Sequence, residues 1–302
     1  MSKVHILGSD GFLGKRLVSK FGDNCIPIHR LGLDYRLRED AICAVAHVRG
    51  DIVINSCGRV GGIGDNRAKP YEFYLDNLLI GTELMDAAYY AGAKKFVQIG
   101  TVCSYPLHGT YPMGENQFWD GLPENTNSAY GMSRRALVSQ AQALNHQHGF
   151  NVISPILANL YGPGDSSSHV IPDMIRAFTK AVESNYKQVV LWGSGNCSRE
   201  FLYVDDAAEA IKFLVEQYDS PEIINVVSGD EIKIRDLAEM VAPQCGFTGD
   251  ILWDTSRPDG QPRRKFDGSK LARLGWSSKT RLEDGIKATI ADYMSRRTSV
   301  NA

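Results

Sequence analysis

The sequence has no long hydrophobic run, no paired cysteines and little net charge. None of its apolar stretches approaches the ~20 residues of a membrane-spanning helix. Its six cysteines lack CxxC spacing and have no histidine cluster beside them, which argues against a structural zinc site or a disulfide framework. A formal net charge of -2 gives no basic field for nucleic acid. With no secretory-leader pattern at residues 1–7, we expect a cytoplasmic protein with reduced thiols, no metal and no nucleic-acid or membrane partner.

A glycine-rich turn stands between a predicted strand at residues 4–7 and a predicted helix. Glycines in such a turn let the backbone approach a pyrophosphate, which then sits on the helix N-terminus. The spacing therefore predicts a dinucleotide-binding loop. Its predicted cofactor-binding residues are Gly8, Gly11, Phe12, Leu13 and Gly14.

The next predicted strand, at residues 25–29, is followed by Arg30. An acidic residue there would bind a ribose 2'-hydroxyl, whereas an arginine accommodates a 2'-phosphate. Arg30 therefore favours NADP over NAD, although Asp10 in the glycine turn counts against a nearby phosphate. Pro27 predicts that this strand is short.

Strands alternate with helices as far as Gly164, which predicts a doubly wound parallel α/β sheet of the Rossmann type. Shorter elements follow, and we interpret them as a smaller C-terminal α/β substrate-binding domain. The predicted division gives residues 1–164, with about 200–220, to the cofactor domain, and residues 165–199 and 221–302 to the substrate-binding domain. Residues 296–302 are expected to be irregular.

The predicted helix at residues 70–91 carries Leu75, Leu78, Leu79, Thr82 and Met85 on one stripe. A stripe of this kind is usually core packing. The same stripe could instead extend to a dimer contact.

The candidate chemistry lies in two segments. Thr101 and Cys103 follow a buried-strand pattern at residues 96–99, so they emerge at the end of the sheet where ligands bind. Tyr130 and Arg134 are four residues apart on a predicted helix and share a face. A hydroxyl, a phenol and a cation that converge could protonate a carbonyl during its reduction. Each residue alone also fits a structural role, as a strand end, a helix aromatic or a solvated charge.

Several further motifs accompany these residues along nearly the whole chain. They lie at residues 8–14, 60–63 with Asn66, 103–106, 159–163, 168–172, 192–195, 199–206 and 258–264. In this combination the chain resembles the GDP-L-fucose synthase family of extended short-chain dehydrogenase/reductases. The resemblance implies epimerisation at C3 and C5 of a GDP-4-keto-6-deoxyhexose, followed by NADPH-dependent reduction at C4, by a homodimer.

The resemblance also implies roles for individual residues. Cys103 and His169 match the acid and base of epimerisation, Tyr130 the proton donor to O4, and Thr101 a serine position. Without the family, Cys103 would be interpreted as a small buried hydrophobe and His169 as a helix-capping loop residue. Further cofactor-binding residues are Cys57, Gly58, Ile99, Gly100, Tyr130, Arg134, Asn159 and Leu160. The substrate-binding residues are Asn159, His169, Val170, Trp192, Arg199 and Arg264.

Arg134 departs from the family pattern, which has lysine in Tyr-x-x-x-Lys. A guanidinium still lowers a neighbouring phenol's pKa, but it is bulkier and planar. The departure leaves two alternatives open. One is an enzyme that only epimerises, with its nicotinamide retained as a bound group, and the other is an enzyme that only reduces. A non-catalytic nucleotide-sugar-binding protein is a third interpretation.

Overall fold

The computed structural model describes residues 2–29 and 32–300 of the chain. Strands and helices alternate from residue 4 to residue 161. The strands are β1 Val4–Leu7, β2 Cys25–Ile28, β3 Ile52–Asn55, β4 Lys95–Gln98, β5 Gly100–Thr101, β6 Val152–Ile153, β7 Pro155–Leu157 and β8 Asn159–Tyr161. The helices are α1 Phe12–Phe21, α2 Arg38–Ala44, α3 Ile63–Ala68, α4 Pro70–Tyr90 and α5 Ser128–His148, with 3-10 turns at Gly22–Asn24, Val102–Ser104 and Glu115–Gln117.

The central sheet is parallel, with the strand order β2-β1-β3-β4-β6. The order reverses between β1 and β3, and ligands of open α/β sheets bind at such a switch point. β2 lies at the edge, where the missing amide hydrogen of Pro27 costs no ladder bond. The predicted doubly wound α/β fold is confirmed.

Both faces of this sheet are covered because neighbouring residues of each strand point in opposite directions. Ile6, Ile54 and Val97 pack on one face with α1. Leu7, Val53 and Phe96 are directed to the other face, against α2, α4 and α5. The strands therefore read as continuous apolar runs, as expected of a parallel sheet buried on both sides.

The second half of the chain has shorter elements. Its strands are β9 Gln188–Trp192, β10 Ser198–Tyr203, β11 Ile224–Val226, β12 Glu231–Lys233 and β13 Asp250–Asp254. Its helices are α6 Val170–Glu183, α7 Val204–Gln217, α8 Ile234–Gln244, α9 Ser269–Arg273 and α10 Leu282–Val300. β10 joins β8 in parallel and β12 in antiparallel, while β9 pairs with β13. A separate core contains side chains of α6, α8, α10 and β9.

Part of the C-terminal region packs beside the first sheet. β11, which the sequence placed with the second domain, pairs in parallel with β7, and β7 pairs with β5. Phe266, Leu271 and Trp276 pack in the core on the α1 face. A buried strand edge and buried aromatic rings explain why this segment lies against the sheet. α7 also packs on α1, as its predicted return to the main sheet requires.

The apolar stripe on α4 is less buried than its interpretation as core packing predicts. Leu75, Leu78 and Leu79 are only half-buried. The buried face of α4 is instead formed by Phe73, Asp76, Asn77, Gly81, Leu84, Met85, Ala87 and Ala88. The polar pair at 76 and 77 turns inward because arginines bind both side chains.

The expected irregular C-terminus is wrong for residues 296–300, which continue α10, and residues 301–302 lie outside the described part. Arg297 forms an ion pair of 2.9 Å with Glu183 at the end of α6. Across the described ranges, no helix combines the length and apolarity needed to cross a membrane.

Candidate active site

The glycine turn after β1 brings the loop and the start of α1 into close contact. Gly8 adopts φ +77°, a left-handed conformation that favours glycine. Its carbonyl accepts a 2.9 Å hydrogen bond from the Gly11 amide. A Cβ atom at Gly14 would lie 2.0 Å from the Gly8 carbonyl oxygen, so a side chain does not fit there. α1 thus begins at Phe12 beside a bare backbone turn, with no acidic residue in its first turn.

The loop after β2 contains several charged residues. Arg30, predicted to favour NADP, lies outside the described residues. Asp10 lies 3.0 Å from the Nδ1 atom of the exposed His29 ring. Arg36 binds the carboxylates of Asp34 and Asp76 at 2.6 and 2.8 Å, so its charge is already neutralised within the protein.

Thr101 ends β5 and positions the 3-10 turn that carries Cys103. Its Oγ1 accepts a 3.2 Å hydrogen bond from the Cys103 amide. The turn is tied to α5, because Ser104 Oγ donates to the Gly131 carbonyl at 3.1 Å. A Cβ atom at Gly131 would lie 2.4 Å from the Cys103 carbonyl oxygen. The backbone of Cys103 therefore lies against the helical turn that contains Tyr130.

Three neighbouring residues, Thr101, Cys103 and Arg134, influence the pKa of the Tyr130 phenol. Burial raises the pKa of its phenol and the thiol of Cys103 acts in the same direction, whereas the Arg134 guanidinium and hydrogen bonding to Thr101 and Arg134 lower this pKa. Arg134 Cζ lies 5.5 Å from the centre of the Tyr130 ring. The ring of Phe73 meets Tyr130 edge-on at 6.2 Å. The structure therefore brings Thr101, Cys103, Tyr130 and Arg134 together.

Arg134 is buried and held from two other strand ends. Its Nη2 donates to Asn77 Oδ1 on α4 at 2.8 Å and to the carbonyl of Cys57 after β3 at 3.4 Å. Its Nη1 donates to the carbonyl of Ile99 after β4 at 3.4 Å. These acceptors are all neutral, so the full positive charge acts on the phenol.

The thiol of Cys103 faces a cation rather than hydrocarbon. Arg264 Nη1 lies 3.4 Å from Cys103 Sγ. Arg264 Nε donates to Gln261 Oε1 at 2.9 Å, and the amide oxygen of Asn127, in the orientation that satisfies its neighbours, accepts from Arg264 Nη2 at 2.8 Å. Both amides are neutral, so neither of these two acceptors offsets the charge that Arg264 directs at the sulfur. The sequence placed this arginine on the diphosphate side only.

Arg199 is occupied by backbone groups. Its guanidinium donates to the carbonyls of Ser198, Gln261 and Asp259 at 2.6 to 3.0 Å. Burial, followed by repulsion from Arg264, lowers the pKa of Arg199 to about 10. Its predicted contact with a diphosphate remains a prediction.

His169 precedes α6, which begins at Val170, and its Nδ1 lies 2.8 Å from Ser167 Oγ. Its neighbour Ser168 abuts the glycine loop at residues 60–64, because a Cβ atom at Gly62 would lie 2.4 Å from the Ser168 carbonyl oxygen. Trp192, at the end of β9, approaches the same loop: a Cβ atom at Gly64 would be 3.7 Å from its ring. The pairing of His169 with Cys103 remains a prediction.

Asn159 and Leu160 lie in β8, half-buried, and Asn159 Nδ2 donates to the Glu200 carbonyl at 3.2 Å. In the part of the chain that the structure describes, no group of three or more His, Cys, Asp or Glu side chains could hold a metal ion.

Several residues of the site were not found by sequence reasoning. Asn77 and Phe73 lie on α4, and Asn127 and Gln261 surround Arg264. The one available signal was the polar pair Asp76-Asn77, which stands between the apolar residues Leu75 and Leu78 of α4. Gln261 lies in the motif at residues 258–264, three residues before Arg264, but no pattern there marks it as a partner of the guanidinium. Asn127 had no signal, because it is distant from Arg264 in sequence.

A family model described as "NAD dependent epimerase/dehydratase family" matches residues 4–227, which include the glycine turn, Cys103 and Tyr130. The chain belongs to this family. Its resemblance to GDP-L-fucose synthases is confirmed: it is 38% identical over 301 residues to a protein from Arabidopsis thaliana named putative GDP-L-fucose synthase 2, covering 97% of this chain and 92% of that one. It is 34% identical to the GDP-L-fucose synthase of Escherichia coli, with 95% of each chain covered.

A solved structure shares the fold. The GDP-mannoheptose C4 reductase from Campylobacter jejuni, with NADP bound, superimposes with a TM-score of 0.88 at 28% identity, covering 97% of this chain and 98% of that one.

Proposed function

We propose that the protein epimerises a GDP-4-keto-6-deoxyhexose at C3 and C5 and reduces it at C4 with NADPH. The observation that carries this proposal is the meeting of Thr101, Cys103, Tyr130 and Arg134 in one site, with a second cation at the thiol. Relatives named GDP-L-fucose synthase, aligned along nearly the whole chain, support the same reaction.

The dinucleotide fits the residues present. The turn of Gly8, Gly11 and Gly14 leaves bare backbone beside the N-terminus of α1. Nε of Arg134 is buried without a hydrogen-bond partner in the described structure, which suits a polar group of a ligand. The remaining residues proposed to hold NADP are Phe12, Leu13, Arg30, Cys57, Gly58, Ile99, Gly100, Tyr130, Asn159 and Leu160. When bound, NADPH supplies a hydride for reduction.

In reduction, the protein provides the proton. Tyr130 donates its phenolic proton to O4 of the sugar, and Thr101 binds the same carbonyl. Arg134 stabilises the phenolate that remains, because its charge lies over the ring and its acceptors in the described residues are amide and carbonyl oxygens.

In epimerisation, the protein removes and returns protons beside the ketone. We propose that Cys103 and His169 act as acid and base from opposite faces of the sugar, since a thiol and an imidazole both titrate near neutrality. Arg264 Nη1 faces the Cys103 sulfur from 3.4 Å, so the reacting thiol lies beside a cation. The GDP moiety is bound on the side of Asn159, Val170, Trp192, Arg199 and Arg264.

We further propose a cytoplasmic homodimer formed through α4 and α5. α4 leaves Tyr71 69% exposed and Leu75 and Leu78 half-exposed on one helical stripe. An apolar stripe on a helix surface is more often covered by a partner than left in water.

The test is a reaction of GDP-4-keto-6-deoxymannose with C4-deuterated NADPH in water, and a second reaction with unlabelled NADPH in heavy water. We expect deuterium from NADPH at C4 of the product and solvent deuterium at C3 and C5. Absence of both labels would leave the non-catalytic interpretation.

A second candidate is a reductase that does not epimerise. The structural relative from Campylobacter jejuni is named a C4 reductase, which favours this candidate. It predicts deuterium at C4 and none at C3 or C5. An enzyme that only epimerises gives the reverse pattern.

A further inference from the structure

At Gly58, which follows β3, there is no room for a larger side chain. Its φ lies outside the left-handed region, so the backbone would accept alanine. A Cβ atom there would, however, lie 2.0 Å from Arg134 Nη2 and 3.2 Å from Arg134 Cζ. It would also lie 2.7 Å from Asn77 Oδ1. The room that a methyl group would take is occupied by the guanidinium and its acceptor.

The guanidinium cannot move aside without losing its bonds. Arg134 is 6% exposed, and the nitrogen that would collide is the one that donates to Asn77 Oδ1 at 2.8 Å. Asn77 is itself fixed, because its Nδ2 donates to the carbonyls of Phe73 and Arg59 and its Oδ1 also accepts from the Arg59 amide. A displaced Arg134 would therefore leave a buried amide oxygen with one partner fewer and change the cation's distance from Tyr130.

A lysine at position 134 has different demands. It carries one nitrogen on a narrow stem instead of a planar fork. A lysine would leave the place of Nη2 empty and release Asn77 Oδ1 from its bond to the guanidinium. A methyl group on residue 58 then needs only a small shift of Asn77 Oδ1, which lies 2.7 Å from the Cβ position. The identities of residues 58 and 134 are thus mutually dependent.

We propose that Gly58 is a positioning residue for the reduction step and forms a matched pair with Arg134, such that alanine at 58 requires lysine at 134. The proposal rests on the proposed function, because it assigns Arg134 a role in reduction. It also explains how a chain with arginine in place of the family's lysine keeps a reductase site.

The experiment is a double-mutant cycle of the full chain with Gly58→Ala, Arg134→Lys and the double variant. Each is measured for NADPH-dependent reduction from pH 6 to about 12, which spans the ordinary tyrosine pKa and the region above it. The NADPH dissociation constant and solvent deuterium exchange at C3 and C5 are measured for each as well. Misplacement of a catalytic group by about 1 Å can cost on the order of 10²-fold in rate. We expect each single variant to reduce at least about tenfold more slowly, and the double variant to recover at least about tenfold over Gly58→Ala.

The pH profile separates positioning from loss of structure. The described charged or titratable groups that act on the Tyr130 phenol are Arg134 and Cys103. Displacement of the cation removes an influence that lowers the phenol's pKa, so the alkaline fall in reduction should shift to higher pH in Gly58→Ala. Gly121→Ala is the matched control, since its methyl group would only touch Pro106 at 3.4 Å.

The outcomes are distinguishable from failure of the proposed function. Unimpaired reduction by Gly58→Ala, or a double variant no faster than the product of the two single effects, would refute the pairing. A parent that does not transfer hydride would refute the reductase function instead. In that case the NADPH dissociation constants test the pairing, because the double variant should recover NADPH affinity over Gly58→Ala. A double variant that does not recover this affinity would refute the pairing as well.

Discussion

Cys103 is the residue on which epimerisation depends. Its thiol lies 3.4 Å from Arg264 Nη1, and its amide is fixed by Thr101. Neither group belongs to the glycine turn of the cofactor site. The thiol can therefore be altered without disturbing the dinucleotide.

We predict that Cys103→Ser lowers solvent deuterium exchange at C3 and C5 by at least about 10²-fold, as expected for loss of a general acid–base group. The dissociation constant of NADPH should stay unchanged. Cys43→Ser, which alters an exposed thiol on α2, is the control. Equal exchange by Cys103→Ser and the parent would show that the base lies elsewhere.

Tyr130 gives a second prediction at the residue scale. Burial raises the pKa of its phenol, and the phenol must be protonated to donate. Reduction should therefore be constant with pH through neutrality and decrease only above the ordinary tyrosine pKa of about 10. Tyr130→Phe should reduce about 10²- to 10⁴-fold more slowly and keep its exchange at C3 and C5. A decrease in reduction centred near pH 7 would exclude Tyr130 as the donor.

The residue pairs of the site show which of its contacts could be predicted from the sequence and which could not. Tyr130 and Arg134 were found because four residues of helix place them on one face. Cys103 and Arg264 are 161 residues apart and meet only when the segment at 258–264 folds over the first sheet. No local pattern encodes that meeting.

Among the elements, the helices α4 and α5 pack against each other beside the site. Gly81 on α4 faces the fully buried Leu137 on α5. A Cβ atom at Gly81 would lie 2.2 Å from Leu137 Cδ1. The close approach of the two helices brings Asn77 within reach of Arg134.

We predict that Gly81→Ala lowers the free energy of unfolding by about 1–2 kcal/mol, because overpacking outweighs the gain in helix propensity. Chemical denaturation measures this change. Leu137→Val should relieve the collision, so the double variant should be more stable than the sum of the single effects. Strict additivity would indicate that the helices move apart freely.

The elements also show which patterns sequence can read. The helix predicted to carry Tyr130 and Arg134 is present as α5, which ends at Gly149 in a left-handed conformation. β13 and α10 were missed. β13 has no fully buried residue, and α10 buries only a few side chains along 19 residues, among them Ile286 and Ile290. Without a strong apolar period, neither segment carries a recognisable signal.

For the whole molecule, the outward stripe of α4 predicts association. Leu75→Glu would place a charge at the centre of the proposed dimer contact, and we expect it to convert a dimer to a monomer. Light scattering after size exclusion measures the mass of both proteins. Glu216→Lys on α7, far from α4 in the chain, is a surface-charge control. A monomeric parent would contradict the dimer.

Thr101 has a consequence for how the two proton-transfer systems can change. The Thr101 hydroxyl fixes the turn that carries the sulfur and also lowers the pKa of the phenol that serves the ketone oxygen. A substitution that reshapes this strand end must therefore disturb both systems at once. A new sugar preference is therefore more readily gained by substitutions in the outer loops, around Trp192 and residues 60–64, than by substitutions at Thr101, which both proton-transfer systems share.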